Sequence, residues 1–170
     1  LPLATFDFVS VEYLDMDGDH DRFPDTGETG IVRLTLQNNS RDPLNRLLAL
    51  TDASFTLSST DPDVGCIVQG TVTAGGIAAG ATFTLGVLPD ALGQGGQGFA
   101  FRASDGLQTL AATSPAAIDL CVTGQASETS GTTSPVCFRL LADLDMQPPG
   151  LQVFTPGPDG IGGTADDGTT

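Results

Sequence analysis

Short runs in which apolar residues recur at every second position dominate this chain, and no long segment follows the 3.6-residue period of an amphipathic helix. A period of two places alternate side chains on opposite faces of a pleated strand, so each run can bury one face only. Val32, Leu34 and Leu36 form the cleanest case, with Arg33, Thr35 and Gln37 between them expected to face outward. Further strands are expected at Leu47 to Leu50, at Phe55 to Leu57, and at Cys66, Val68 and Val72. Others are expected at Phe83, Leu85 and Val87, at Phe99, Phe101 and Ala103, and around Cys121 and Cys137. Near the start, Phe6 and Phe8 share one parity and Val9, Val11 and Tyr13 the other, which predicts a bulge or a change of sheet. Turn signals such as Asn38-Asn39, Asp61-Pro62, Gly75-Gly76 and Gly95-Gly96 separate the runs. About eight short strands without crossover helices predict an all-β protein, a two-sheet antiparallel sandwich of immunoglobulin-like or jelly-roll-like type.

A chain of 170 residues can bury one such core. The expected division is a β-sandwich domain over 1–147 and a Gly-, Pro- and Asp-rich extension or linker over 148–170, with Leu151, Val153 and Phe154 forming a last short strand. Opening at Leu1 without Met, the chain reads as a mature or excised fragment. No apolar stretch is long enough to span a bilayer, so membrane insertion is not expected. The 21 acidic residues outnumber 6 basic ones, all Arg, for a net charge of −15. Such a surface repels nucleic-acid phosphates and attracts divalent cations.

Three cysteines permit one internal disulfide in three possible pairings. Cys121 and Cys137 each fall on the face opposite the hydrophobes of their runs, and a hairpin about Thr129 would set them side by side for bridging. Cys66 is then expected as a small buried hydrophobe, the other outcome being a bridge to a second chain.

The segment from Asp15 to Glu28 holds six carboxylates in fourteen residues between two expected strands. Residues two apart on an extended chain stand about 6.6 Å apart. Calcium gathers its oxygens at about 2.3 to 2.6 Å, so the segment must curl, with Gly18, Pro24 and Gly27 providing the bends. Without a cation the carboxylates repel one another, which couples curling to binding. Asp15, Asp17, Asp19, Asp25 and Glu28 are the expected calcium ligands, with Asp21 as a further candidate; the alternative is a solvated acidic turn. The all-oxygen donor set suits Ca2+ rather than transition metals, and His20 is expected to face solvent. A second cluster, Asp159, Asp166 and Asp167 among glycines, would hold another calcium if the chain folded back, or else form a flexible acidic linker.

The order of residues departs from an EF-hand, since the glycine comes fourth and no helix flanks the loop. Asp17-Gly18-Asp19, Asp25-Thr26-Gly27-Glu28 and a strand from Ile31 to Asn39 instead resemble the opening of bacterial extracellular immunoglobulin-like modules of the CARDB type. Thr26 departs from that pattern, which would have Gly directly after Pro. The resemblance covers about the first half of the chain and implies an adhesive or architectural role at the cell surface or in the secreted fraction.

Catalytic machinery is not expected. His20 would be held as a cation among aspartates, no Lys exists, and no Cys pair has zinc-site spacing. Glu12, Glu28 and Glu128 could in principle form a glycosidase pair, but no Trp and a single Tyr leave little to stack on sugar rings. Three functions follow for comparison: a calcium-stabilised structural or adhesive module partnered by other domains or by copies of itself, a self-assembling subunit of a filament or tube in which an end segment such as Leu1 to Phe8 adds to a neighbour's sheet, and a polysaccharide-binding accessory domain of a secreted hydrolase.

Overall fold

The computed structural model describes residues 4–18, 20–107, 117–131 and 133–142, with the backbone of 154–155 and 168–169. Its strands are β1 (Phe6–Asp15), β2 (Thr29–Asn38), β3 (Leu50–Ser58), β4 (Val64–Gln69), β5 (Thr71–Ile77), β6 (Thr82–Leu85), β7 (Phe99–Ala103), β8 (Ala117–Gln125), β9 (Val136–Leu141), β10 (Phe154–Thr155) and β11 (Gly168–Thr169). One sheet runs β1-β2-β7-β4, with β6 also on β2, and the other β5-β3-β8-β9; every pairing is antiparallel. The two sheets pack face to face as a sandwich. Strands β10 and β11 pair with each other, inside the segment expected as a linker.

Strand β2 is the spine. Val32, Leu34 and Leu36 are fully buried, as their parity requires, while Arg33, Thr35 and Gln37 are half-buried on the outer side. Against them pack Phe99 and Phe101 of β7, Phe55 and Leu57 of β3, and Ile118, Leu120 and Val122 of β8. Each such side chain contributes about 1.5 to 3 kcal/mol of burial, so this shared apolar layer fixes the register of both sheets. The change of parity near the start is a bulge, where the β1–β2 register shifts between Phe8 and Ser10.

Two expected strands and the start of a third are corrected. Cys66, Val68 and Val72 do not lie on one buried face, because the chain leaves the first sheet after Gln69 and enters the second at Thr71. The carbonyl of Gly70 accepts from Leu57 N of β3 at 2.8 Å, marking the crossing. Val68 is therefore 57 % exposed and Cys66 exposed, contrary to its expected burial, while Ile67 packs against the core. Leu47 likewise precedes β3 and is exposed.

Val87 is the second correction. Strands β6 and β7 are two halves of one line along β2, with Leu85 opposite Leu34 and Phe99 opposite Val32. The residues between are extruded as a loop whose neck is clamped by paired hydrogen bonds of Val87 and Gln97. A Cβ on Gly98 would stand 2.9 Å from Gly86 Cα, and both glycines hold a positive φ, so the neck closes only without side chains. Val87 points away from the core, and the loop covers Ile31 on the outer face of β2.

The far end of β2 is closed by Asn38, which is fully buried. Its Nδ2 donates to Leu48 O at 2.9 Å and Ala78 O at 3.1 Å, and its Oδ1 accepts from Ser40 N at 3.1 Å. On the outer face of the second sheet Cys121 and Cys137, paired in register, form a disulfide.

Replacing Asn38 by Ala strands two buried carbonyls and an amide. A loss of about 3 kcal/mol is expected in urea unfolding, and a loss below about 1 kcal/mol would mean that the two loops hold themselves. The bridge closes a span of 16 residues, so Cys121→Ser/Cys137→Ser is expected to cost about 3 kcal/mol. Adding reductant to the parent should bring its unfolding curve onto that of the double variant.

Candidate metal centre

The antiparallel ladder of β1 and β2 ends at Asp15 opposite Gly30, and the acidic segment loops out between them. Its neck is tied by Met16 N donating to Thr29 O at 2.7 Å and Thr29 N donating to Asp17 Oδ1 at 2.7 Å. Glu28 O accepts from Ala103 N at 2.8 Å, which anchors the returning chain to β7.

Within the loop the acids divide by burial. Asp15 is 0 % exposed, and Asp25 and Glu28 are each 4 % exposed. Asp15 Oδ2 accepts from Gly18 N at 2.7 Å and His20 N at 3.0 Å, which curls the chain back over it. Its other oxygen, Oδ1, is buried with no hydrogen-bond partner. Glu28 Oε2 accepts from Asp25 N at 3.2 Å. A Cβ on Gly18 would overlap Glu28 Oε1 and stand 2.8 Å from Asp15 Oδ2, so the Glu28 carboxylate occupies the place a side chain would need, with Asp15 beside it. Asp17 is exposed and bound to Thr29, and Asp21 is half-buried and accepts from Phe23 N at 2.6 Å.

The structure thus buries Asp15, Asp25 and Glu28, sets Glu28 beside each of the other two, and leaves Asp17 exposed and Asp21 half-buried. Asp19, Asp159, Asp166 and Asp167 lie outside the described residues. Among the described residues no three acidic, His or Cys side chains already stand at metal-holding separation. His20 departs from expectation: its Nδ1 turns to Asp15 Oδ2 at 3.4 Å, and it holds a left-handed φ of 64°. It also meets the extruded loop, for a Cβ on Gly93 would stand 2.9 Å from His20 Cε1 and 2.7 Å from Met16 O.

Tyr13 is the member of this site that the loop pattern did not reveal. The parity it shares with Asp15 on β1 was the available signal. The ring is buried beside Phe101, with centroids 5.7 Å apart, and its hydroxyl has no hydrogen-bond partner. Burial pushes the phenol far above its ordinary range, and the nearby charges of Glu28, Asp15, Asp17 and Asp25 push the same way. One tyrosine therefore feels four of the expected ligands.

The other glutamates engage different partners. Glu12 faces outward and pairs with Arg33 and, at 3.6 Å, with Arg22, while Glu128 accepts from Thr51 N at 2.8 Å. No helix among the described residues is long and apolar enough to cross a membrane. No family model, curated protein or solved structure matches this chain.

The close approach at Gly18 is testable without any ligand. Gly18→Ala forces Glu28 and Asp15 to move and is expected to cost about 1 to 3 kcal/mol in thermal or urea unfolding. Gly76→Ala, whose Cβ meets nothing nearer than Leu50 O at 3.8 Å, should stay within about 0.5 kcal/mol of the parent. Equal effects of the two would remove the claim that Gly18 is required by the carboxylates around it.

Proposed function

We propose that this chain is a calcium-stabilised, non-catalytic β-sandwich module of a secreted or cell-surface bacterial protein, with a structural or adhesive role. The observation that carries the reading is Asp15: its carboxylate is wholly buried and one oxygen faces no hydrogen-bond partner, with Asp25 and Glu28 buried in the same loop. Desolvating a lone carboxylate costs several kcal/mol, and gathering three raises the cost by mutual repulsion. A divalent cation offsets both. The donors are hard oxygens, and the missing side chain of Gly18 lets the carboxylates of Glu28 and Asp15 approach the same point. Asp15, Asp25 and Glu28 would form the inner wall and Asp17 and Asp21 the rim.

Calcium suits this wall better than magnesium, because magnesium retains most of its water and the inner carboxylates lie where little water reaches. An ion here would clamp β1 to β2 and, through Glu28 and Ala103, to β7. That is a stiffening role at one end of a sandwich. The disulfide supports an oxidising, extracellular setting, and the charge of −15 disfavours nucleic acid as partner. Other protein domains or further copies of the chain are the partners this reading implies.

A second reading, assembly by strand addition, draws on one feature. Among the described residues no strand pairs the outer side of β6, and a groove of about 640 Å³ lies there, lined by Val68, Val72, Thr84 and Val87. Backbone groups on such an edge can receive an extended segment. Electron microscopy with millimolar calcium separates the two, since fibres or tubes belong to assembly and dispersed particles to the module.

Scanning calorimetry tests the calcium claim. With calcium about a thousandfold above its Kd the ion adds about 4 kcal/mol, so excess chelator is expected to lower Tm by about 10 °C at matched ionic strength. Calcium should restore it and magnesium should not. A melting curve indifferent to chelator would remove the proposal. Asp17→Asn/Asp19→Asn should reproduce part of the chelator effect.

A further inference from the structure

Two buried polar atoms without partners lie at the same end of the same strand: Asp15 Oδ1 and the hydroxyl of Tyr13. Their residues are two apart on β1 and so share its inner face; Tyr13 is 2 % exposed and Asp15 0 %. The direction of the Tyr13 ring is fixed by its neighbours. Its register partner across the ladder is Val32, yet the ring and hydroxyl fill the place where a Cβ on Gly30 would stand. Gly30 is the register partner of Asp15. The side chain therefore leans diagonally along the ladder, away from its own partner, and delivers its hydroxyl beside the residue facing Asp15. Phe101, which pairs with Gly30 from the other side, packs against the ring and keeps it there.

An orphaned hydroxyl on an apolar ring is an expensive way to fill a core position, since phenylalanine would supply the same packing without the desolvation cost. The place where it ends makes chemical sense of it. A carboxylate that binds an ion through one oxygen needs its other lone pairs held, and donors that do this fix ligand orientation at metal sites. We propose that Tyr13 is a positioning residue of the ion site: its hydroxyl donates a hydrogen bond to the carboxylate of Asp15 when that group turns toward a bound calcium. This rests on the calcium reading above and adds to it the residue that orients the innermost ligand. It also places the Gly30 position under the same requirement, because any side chain there would displace the ring.

The chain contains one Tyr and no Trp, so a tyrosine signal reports this hydroxyl directly. Calcium titrated into the parent protein is followed by calorimetry and by near-ultraviolet difference absorption, and Tyr13→Phe is titrated beside it. The expected result is a tyrosine difference band that saturates with the calorimetric binding curve, and roughly tenfold weaker calcium binding by Tyr13→Phe, with the Tm in chelator at or above the parent's. Calcium binding by the parent with no tyrosine band, or with an affinity that Tyr13→Phe leaves unchanged, would overturn the role of Tyr13 and leave the calcium site standing. Absence of calcium binding by the parent would overturn the site itself. The absorption measurement needs no variant, so it decides the matter even if Tyr13→Phe folds poorly.

Discussion

Both edges of β2 are occupied and its inner face is sealed, and the rest of the molecule is arranged around that fact. Over ten residues, about 33 Å, the strand holds β1 on one side and the broken line of β6 and β7 on the other. Its middle contributes Val32, Leu34 and Leu36 to an apolar layer from which water is excluded. The polar difficulties are thereby driven to the two ends, where backbone groups leave the ladder and must find other partners. At one end a single amide, Asn38, ties two loops, bonding Ser40 and Leu48 in one and Ala78 in the other. At the other the solution is ionic: buried carboxylates, an unpaired hydroxyl and a curled loop. A neutral amide can satisfy itself within the protein, whereas a buried carboxylate oxygen left without a partner cannot.

How much of this could be read from the residues depended on whether a local pattern carried the information. Strands β2, β8 and β9 were legible because one face of each is more deeply buried than the other, and that difference writes itself as alternation. The facing positions of Cys121 and Cys137 followed from the same pattern once the hairpin was assumed. Cys66, Val68 and Val87 were misplaced for a common reason. A chain that changes sheet at Gly70, or leaves the ladder at Gly86, keeps its period while exchanging inside for outside, and nothing within five residues records the exchange.

The acidic loop was legible as a cluster but not as a structure. Six carboxylates in one short span announced themselves, yet composition does not say which three sink. That choice is made by the ladder: Asp15 occupies its last inward position, and Glu28 enters just before Thr29 while bonded to β7. Tyr13 was visible only as an apolar residue of the right parity, because its meaning lies in Gly30, a position in another strand. His20 turned inward for a similar reason, being drawn to a charge that is its neighbour in space.

The glycine-necked loop between β6 and β7 has a bearing on how such a chain could diversify. Because Gly86 and Gly98 already meet and the ladder on β2 continues past them, the span they enclose contributes nothing to register. It could be lengthened, shortened or exchanged for unrelated sequence while Leu85 and Phe99 kept their places on the spine. Such an exchange would be felt elsewhere where the loop rests against Met16 and His20 and where it covers Ile31. The fold thus carries a ready port of insertion beside a loop whose buried carboxylates are tied into the ladder.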